Sequence, residues 1–470
     1  MKQRLKFILP ALLALTLCVA SLPVAAHAEP TPAPSDGWPE PPELTSEAAI
    51  VMEASTGSIL YNKNAYDAYY PASTTKLMTS LLAIEQCPLS DIITCSKASV
   101  ESIGWDSSRI GLVEGESIDM ENALYAILLA SANEVSYAVA EHIGGTVDYF
   151  VSLMNERAKD LGCVNTNFIN PHGLDHESHY SCPYDLALIA RQAAEYTTFR
   201  RVSGSYNHKI PETNKNEHRW ISNTHPFIKK NVVYEGVFAG KTGSTSKAGN
   251  CLVTCAEQNG MTLICVIMKA PNSETVQAET KLLLDYAFQN FKLTPLAAAE
   301  SSDKNAFPVL FEDEEALISD VASPLSVSDT SLVLPGVISY EDLTRKVTLS
   351  PSVSFMAGEN IIGEVKYYYA DNFVGSANII FHSEAETIVV PSPTPVPTAT
   401  PVPTLSPDGA GNSTETSTGT GLSDTEQDNR PLIIGIIVGV VVLAAGFYIV
   451  LVEIPYRKKK KAYREKYGRQ

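Results

Sequence analysis

Three short islands in this chain carry residue types that together can run acyl transfer: Ser73-Thr74-Thr75-Lys76, Ser131-Ala132-Asn133 and Lys241-Thr242-Gly243. A serine hydroxyl is a poor nucleophile until a base is held beside it. Ser73 and Lys76 are three residues apart, and Leu77, Leu81 and Leu82 continue a helical spacing beyond them. Ammonium and hydroxyl therefore fall on one helix face. Apolar surroundings and a second cation push a lysine towards its neutral form, which can act as a base. Lys241 is the candidate second cation. Pro71 precedes the helix and Ser73 lies in its first turn, where backbone N–H groups point outward without partners.

The other two islands could supply the remaining roles. Ser131-Ala132-Asn133 interrupts an apolar helix through Leu128, Leu129 and Val135. In a functional reading Ser131 relays a proton to a leaving amine and Asn133 binds a substrate amide. Buried packing or a plain helix break would account for the same two residues. Lys241-Thr242-Gly243 precedes a predicted strand, and Gly240 and Gly243 let a ligand approach the backbone closely. Lys241 and Thr242 are the candidate anchor for a terminal carboxylate. The N–H groups of Ser73 and Ser244 are the candidate oxyanion hole, a feature that often carries the largest single catalytic contribution. Taken singly, an S-x-x-K spacing arises often by chance on a solvated helix face. A second cluster, His172, Asp175, His176, His179 and Cys182, is dense in potential metal ligands. Its spacing fits no common zinc motif, and neither a metal nor a cofactor is expected.

These residues need a scaffold of both helices and strands. Ala49–Met52 and Ser58–Tyr61 flank a Thr56-Gly57 turn and read as a hairpin. Residues 249–256 and 261–268 alternate around Asn259-Gly260 and read as a second one. Helical spacing marks residues 76–85, 120–143, 148–161 and 184–196. Ser273–Phe291 reads as an amphipathic helix with Ser273 as N-cap and Val276, Leu283, Leu284 and Phe288 inward. The fold class expected is α+β, an antiparallel sheet flanked by helices over residues 45–292. Residues 293–388 lose helical periodicity and show short β-type runs such as Val347–Leu349 and Asn378–Phe381, as in a small all-β domain.

With these residues in view, the stretch from Ala48 to Phe291 resembles the serine-type D-alanyl-D-alanine carboxypeptidases, the low-molecular-mass penicillin-binding proteins. The ordered islands carry the resemblance, together with Pro71–Thr79, Asn170-Pro171-His172-Gly173-Leu174 and Gly240–Gly243 followed by Ala248-Gly249. The resemblance implies a β-lactamase/transpeptidase-like domain. It also implies removal of the terminal D-alanine from peptidoglycan stem peptides through an acyl-enzyme on Ser73, and covalent trapping by β-lactams. Residues 293–388 look like that family's C-terminal domain. Ala132 stands where the family commonly has glycine. A class A β-lactamase shares the islands but needs a glutamate between the second and third, and no Glu-x-x-Leu-Asn pattern occurs there. A non-catalytic wall-binding protein on the same fold is the other alternative; the intact Ser73, Lys76, Ser131, Asn133 and Lys241 argue against it.

The two ends of the chain speak to its location. Lys2, Arg4 and Lys6 precede an apolar run closed by Ala26-His27-Ala28, so residues 1–28 read as an export signal. A Pro-rich lead-in, ordered by contact or flexible, occupies 29–44. Residues 389–430 are a Pro/Thr/Ser-rich spacer, a composition that cannot bury a core. Residues 431–453 hold an uncharged stretch, Leu432–Val452, long enough to cross about 30 Å of hydrocarbon. The basic tail 454–470, with Arg457 and Lys458–Lys461, then places that end in the cytoplasm. The expectation is a catalytic domain outside a cell membrane on one C-terminal span, a pattern suited to a Gram-positive-type wall. The net charge of −18 becomes roughly −27 on the exported part. A surface that acidic excludes nucleic acid, which requires a basic footprint. Seven cysteines follow the signal: Cys87, Cys95, Cys163, Cys182, Cys251, Cys255 and Cys265. Cys255–Cys265 and Cys87–Cys95 are plausible bridges, with reduced, buried thiols the equal alternative.

Overall fold

The hairpin expected around Thr56-Gly57 forms, with β1 (Ala48–Glu53) antiparallel to β2 (Ile59–Lys63). Gly57 takes φ +77 in the turn, a conformation open to glycine at little cost. Glu53 holds the turn, its buried carboxylate accepting from the N–H and hydroxyl groups of Ser55 and Thr56. The computed structural model describes residues 37–104, 106–296, 325–350 and 356–387.

Helices follow in the order read from spacing: α1 (Lys76–Gln86), α2 (Met120–Leu128), α3 (Asn133–Gly144), α4 (Val147–Asp160) and α5 (Pro183–Ala194). The helical run over 120–143 is two helices, not one. Asp119 caps α2 through a bond from Asn122 N–H, and the break falls at 129–132, where Ser131 adopts φ +59. Three long strands complete the sheet: β3 (Val237–Thr245), β4 (Gly249–Gln258) and β5 (Met261–Ala270). All pairings are antiparallel, in the order β2-β1-β5-β4-β3. The third island was expected just before a strand. Instead it lies inside β3, where the sheet holds Lys241 in fixed register opposite Val253.

Both faces of this sheet are covered. Along β1, Ala48, Ile50 and Met52 enter one core with Leu77 and Leu81 of α1, Leu124 of α2 and Val135 of α3. Ala49 and Val51 enter the other core with Val276, Leu283 and Leu284 of α6 (Ser273–Asn290). A strand buried on both faces reads as a continuous apolar run, as Ala48–Met52 does. The N-cap of α6 is Asn272, whose side chain accepts from Thr275 N–H at 2.8 Å, one residue before the expected Ser273. Part of the lead-in is ordered by contact: Trp38 and Leu44 are buried in the second core, and the Pro39 carbonyl accepts from Tyr286.

Beyond α6 the described elements are strands apart from one helical turn at Tyr340–Asp342. β6 (Phe291–Pro295) and β8 (Ser331–Pro335) pair with each other. β7 (Leu325–Val327), β9 (Thr344–Leu349), β10 (Met356–Tyr369) and β11 (Asn372–Thr387) form a sheet in the order β7-β11-β10-β9. Tyr367, Val365 and Ile379 of this sheet join the second core.

Of the two readings of the cysteines, the reduced one holds: neither plausible bridge forms, and the seven described cysteines are free thiols. The reason for Cys255 and Cys265 is register. Cys265 lies opposite Thr254 rather than Cys255. Because side chains alternate between faces, the Cys255 thiol enters the core with α1, α2 and α3 and the Cys265 thiol the core with α6. The anticipated signal (1–28), spacer (389–430), span (431–453) and tail (454–470) lie outside the described residues. Among the described residues no helix is long and apolar enough to cross a membrane.

Candidate active site

Ser73 sits in a short 3-10 turn, Ala72–Thr75, that runs straight into α1. The turn is built under strain: Ala72 has φ +48, a left-handed conformation that costs a non-glycine residue about 1 kcal/mol or more. Two neighbours clamp it. Gly173 approaches so closely that a Cβ there would stand 1.8 Å from the Ala72 carbonyl oxygen. From the other side comes Gly243 of β3, where a Cβ would meet the Pro71 oxygen at 3.0 Å and the Ser73 nitrogen at 3.2 Å. Thr74 and Thr79 tie the turn down by donating to the carbonyls of Pro71 and Pro171, each at 2.6 Å.

Lys76 is fully buried, and its Nζ meets three oxygens: Ser73 Oγ at 3.0 Å, Asn133 Oδ1 at 2.7 Å and the His172 carbonyl at 2.6 Å. Burial holds its pKa well below the ordinary lysine value. The Lys241 cation lowers it further, while Glu134 opposes. The count of positions is informative. A neutral amine has two N–H bonds and one lone pair. As the ammonium it donates to all three oxygens; on losing a proton it keeps its two N–H bonds for the carbonyl oxygens, which can only accept, and its lone pair comes to the Ser73 hydroxyl.

Lys241 is also buried, and desolvation pulls it down to about 7; its Nζ donates to the Thr242 carbonyl at 3.0 Å. Thr242 shares a 2.8 Å hydroxyl bond with Thr224. Ser131, in its left-handed conformation, has a buried Oγ with no hydrogen-bond partner among the described residues. Ser73, Ser131, Thr242, Gly243 and Ser244 line one cleft of about 390 Å³. Asn133 touches Lys76, and Lys76 feels the charge of Lys241. The structure thus brings Ser73, Lys76, Ser131, Asn133, Lys241, Thr242, Gly243 and Ser244 to one place.

Several contributors were not singled out from the sequence. The His172 carbonyl belongs to the Asn170–Leu174 loop, which the sequence marks by likeness to the family and by its histidine side chain, not by its backbone oxygen. Ser108 lines the cleft and its carbonyl receives the Asn133 N–H at 2.9 Å. Glu134 accepts from the N–H groups of Ile110 and Gly111, fixing that loop on the start of α3. His225 packs behind β3, where a Cβ on Gly240 would meet its Nε2 at 2.5 Å. No local pattern marks Ser108 or His225.

In the histidine-rich loop the candidate ligand atoms are engaged in hydrogen bonds within the protein. His179 accepts from Ile169 N–H through Nδ1 and therefore donates from Nε2 to Thr75 Oγ1 at 2.9 Å. Asp175 accepts from Thr245, and His176 accepts from Ser178 N–H. Burial, with smaller contributions from nearby cations, lowers His172 to about 3 and His179 to about 4, so both rings are neutral. They serve as hydrogen-bonding braces around the nucleophile turn.

A two-sided sheet with a helix-borne serine and lysine facing a strand-borne lysine defines a penicillin-binding, transpeptidase-like α+β enzyme fold. Residues 36–272 match the family described as D-alanyl-D-alanine carboxypeptidase, and the chain belongs to that family. It is 38% identical over 258 residues to the D-alanyl-D-alanine carboxypeptidase DacF of Bacillus subtilis, covering 54% of this chain and 65% of that one. To DacA of Haemophilus influenzae it is 32% identical over 280 residues, 57% of this chain and 68% of that one. Among solved structures, the Streptomyces K15 DD-transpeptidase is similar at 28% identity and a TM-score of 0.51, covering 53% of this chain and all of that one. Penicillin binding protein 5 from Haemophilus influenzae is similar at 25% identity and 0.57, covering 73% and 98%.

Proposed function

We propose that this chain is a serine D-alanyl-D-alanine carboxypeptidase acting on peptidoglycan stem peptides and trapped by β-lactams. The observation that carries the reading is the buried Lys76 amine, held 3.0 Å from Ser73 Oγ and bonded to two carbonyl oxygens that would keep both N–H bonds of its neutral form, leaving the lone pair for Ser73. Ser73 Oγ adds to the carbonyl carbon of the penultimate D-alanine as its proton passes to Lys76. The negative charge developing on the carbonyl oxygen is taken by the N–H groups of Ser73 and Ser244. Collapse breaks the C–N bond, and the proton reaches the departing amine through Ser131. Free D-alanine leaves, and water attacks the acyl-enzyme to release the shortened peptide and restore Ser73.

Lys241 and Thr242 hold the terminal carboxylate, and Asn133 positions the peptide amide. The lowered pKa of both lysines suits this division of labour: one is poised to be neutral, the other to be charged by an arriving anion. The β-lactamase alternative lacks its glutamate, and the metal-binding alternative lacks a convergent ligand set in the loop that prompted it.

The decisive test is incubation with a fluorescent penicillin and with a pentapeptide ending in D-Ala-D-Ala, comparing wild type with Ser73→Ala. The variant is expected to lose both labelling and D-alanine release. Retention of either one moves the nucleophile elsewhere. Export and anchoring through Leu432–Val452 complete the proposal; protease shaving of intact cells removes the penicillin-labelled domain if it faces outward and spares it if it does not.

A further inference from the structure

A second cluster of reactive side chains lies at the far ends of the helices that build the candidate active site. α1 starts with Lys76 and is capped at its other end by Cys87; α3 starts with Asn133 and carries His142 in its last turn. Between them, the turn Pro88–Asp91 folds back through a bond from Asp91 N–H to the Pro88 carbonyl. That turn is pinned to the start of α2, because Met120 N–H donates to the Asp91 carbonyl and Glu121 N–H to that of Leu89. As a result, the Cys87 thiol, an Asp91 carboxylate oxygen and a His142 ring nitrogen all lie within 4.8 Å of one another.

We propose that Cys87, Asp91 and His142 form a binding site for a thiophilic divalent cation of the zinc class, which fastens the distal ends of the two helices carrying Lys76 and Asn133. The geometry is close to what such an ion requires. With zinc–ligand bonds of about 2.0–2.3 Å, ligands on a tetrahedron stand about 3.3–3.8 Å apart. His142 Nε2 and Asp91 Oδ2 are already 3.4 Å apart, and the thiol lies within 4.8 Å of both. One sulfur, one imidazole and one carboxylate are a donor set suited to zinc, and one that a harder ion such as magnesium or calcium would not choose. His142 is exposed, so the ion enters from solvent and water completes its coordination. As the metal–sulfur bond forms, the thiol proton leaves to solvent.

The inference goes beyond the proposed reaction, since the cluster is separate from the cleft and the ion takes no part in the chemistry. Its test uses the full chain with thiols reduced by a phosphine, titrated with Co²⁺ alone and then with Zn²⁺. The expected result is a near-ultraviolet thiolate-to-cobalt band that saturates at one equivalent and is displaced by zinc. The band disappears in Cys87→Ser and requires at least tenfold more Co²⁺ in His142→Ala. Zn²⁺ raises Tm by several degrees in wild type but not in Cys87→Ser, while fluorescent-penicillin labelling shows that both variants are folded. No band in wild type, or an undiminished band in Cys87→Ser, overturns the proposal. So does a zinc-induced rise in Tm that survives the Cys87→Ser substitution.

Discussion

Lys241 is placed where it costs stability, and replacing it with methionine makes that cost measurable. The unfolded chain holds this proton up to about pH 10.5, whereas burial lowers the folded value to about 7. Between those values the unfolded state binds more protons, so the contribution of Lys241 to stability rises with pH. The penalty is almost complete at pH 7 and nearly gone at pH 10. At about 1.36 kcal/mol per unit, integration over that window gives a change of about 3.5 kcal/mol. Methionine has a similar length and no charge. Lys241→Met should therefore be stabilised relative to wild type at pH 7, with the advantage shrinking by about 3.5 kcal/mol by pH 10. Loss of the Lys241 charge also relieves Lys76, which adds to the effect in the same direction. Guanidinium unfolding of both proteins across pH 7–10 gives the difference directly, with other titrating groups common to both. Over the same substitution, kcat/KM for a D-Ala-D-Ala peptide is expected to fall by about 10²-fold or more, as a buried charge partner is lost. A stability difference that does not change with pH would refute the claim that Lys241 is desolvated for function.

Four further outcomes follow from the site. Acylation by a β-lactam should rise with pH as Lys76 loses its proton and fall above about pH 7 as Lys241 does, a bell in stopped-flow rates; a flat profile would remove both lysines from the step. Gly243→Ala places a Cβ 3.2 Å from the Ser73 nitrogen, and a shift of the nucleophile turn should slow penicillin labelling by about 10- to 100-fold with little change in Tm. Ser131→Gly relieves the φ +59 strain, so stability should rise by up to about 1 kcal/mol while D-alanine release slows; a faster enzyme would exclude Ser131 as the proton relay. Dithiothreitol should leave Tm unchanged, because every described cysteine outside the signal is already a thiol; a marked fall would reveal a bridge.

Much of this molecule was legible from local pattern. Ser73 and Lys76 are neighbours because a helical turn brings positions three apart together, and their 3.0 Å contact follows from that spacing. The hairpins around Thr56-Gly57 and Asn259-Gly260 also follow from alternation and turn residues. Where two equally local readings competed, pattern was not enough. Asn272 rather than Ser273 caps α6, and the run over 120–143 breaks at Ser131, since both choices depend on what each end packs against.

What the tertiary structure alone decided is convergence and parity. Nothing near residue 76 indicates that the carbonyl of His172 would take one of its N–H bonds. Nothing near residue 241 indicates that Thr224 would meet Thr242 or that His225 would lie behind the strand. These contacts join residues from 18 to 96 positions apart, and they exist because two apolar cores press helices and loops against one sheet. The cysteines show the same limit most plainly. Cys255 and Cys265 lie on facing strands, yet a register offset of one residue sends their thiols to opposite faces, and register is set by burial across the whole sheet.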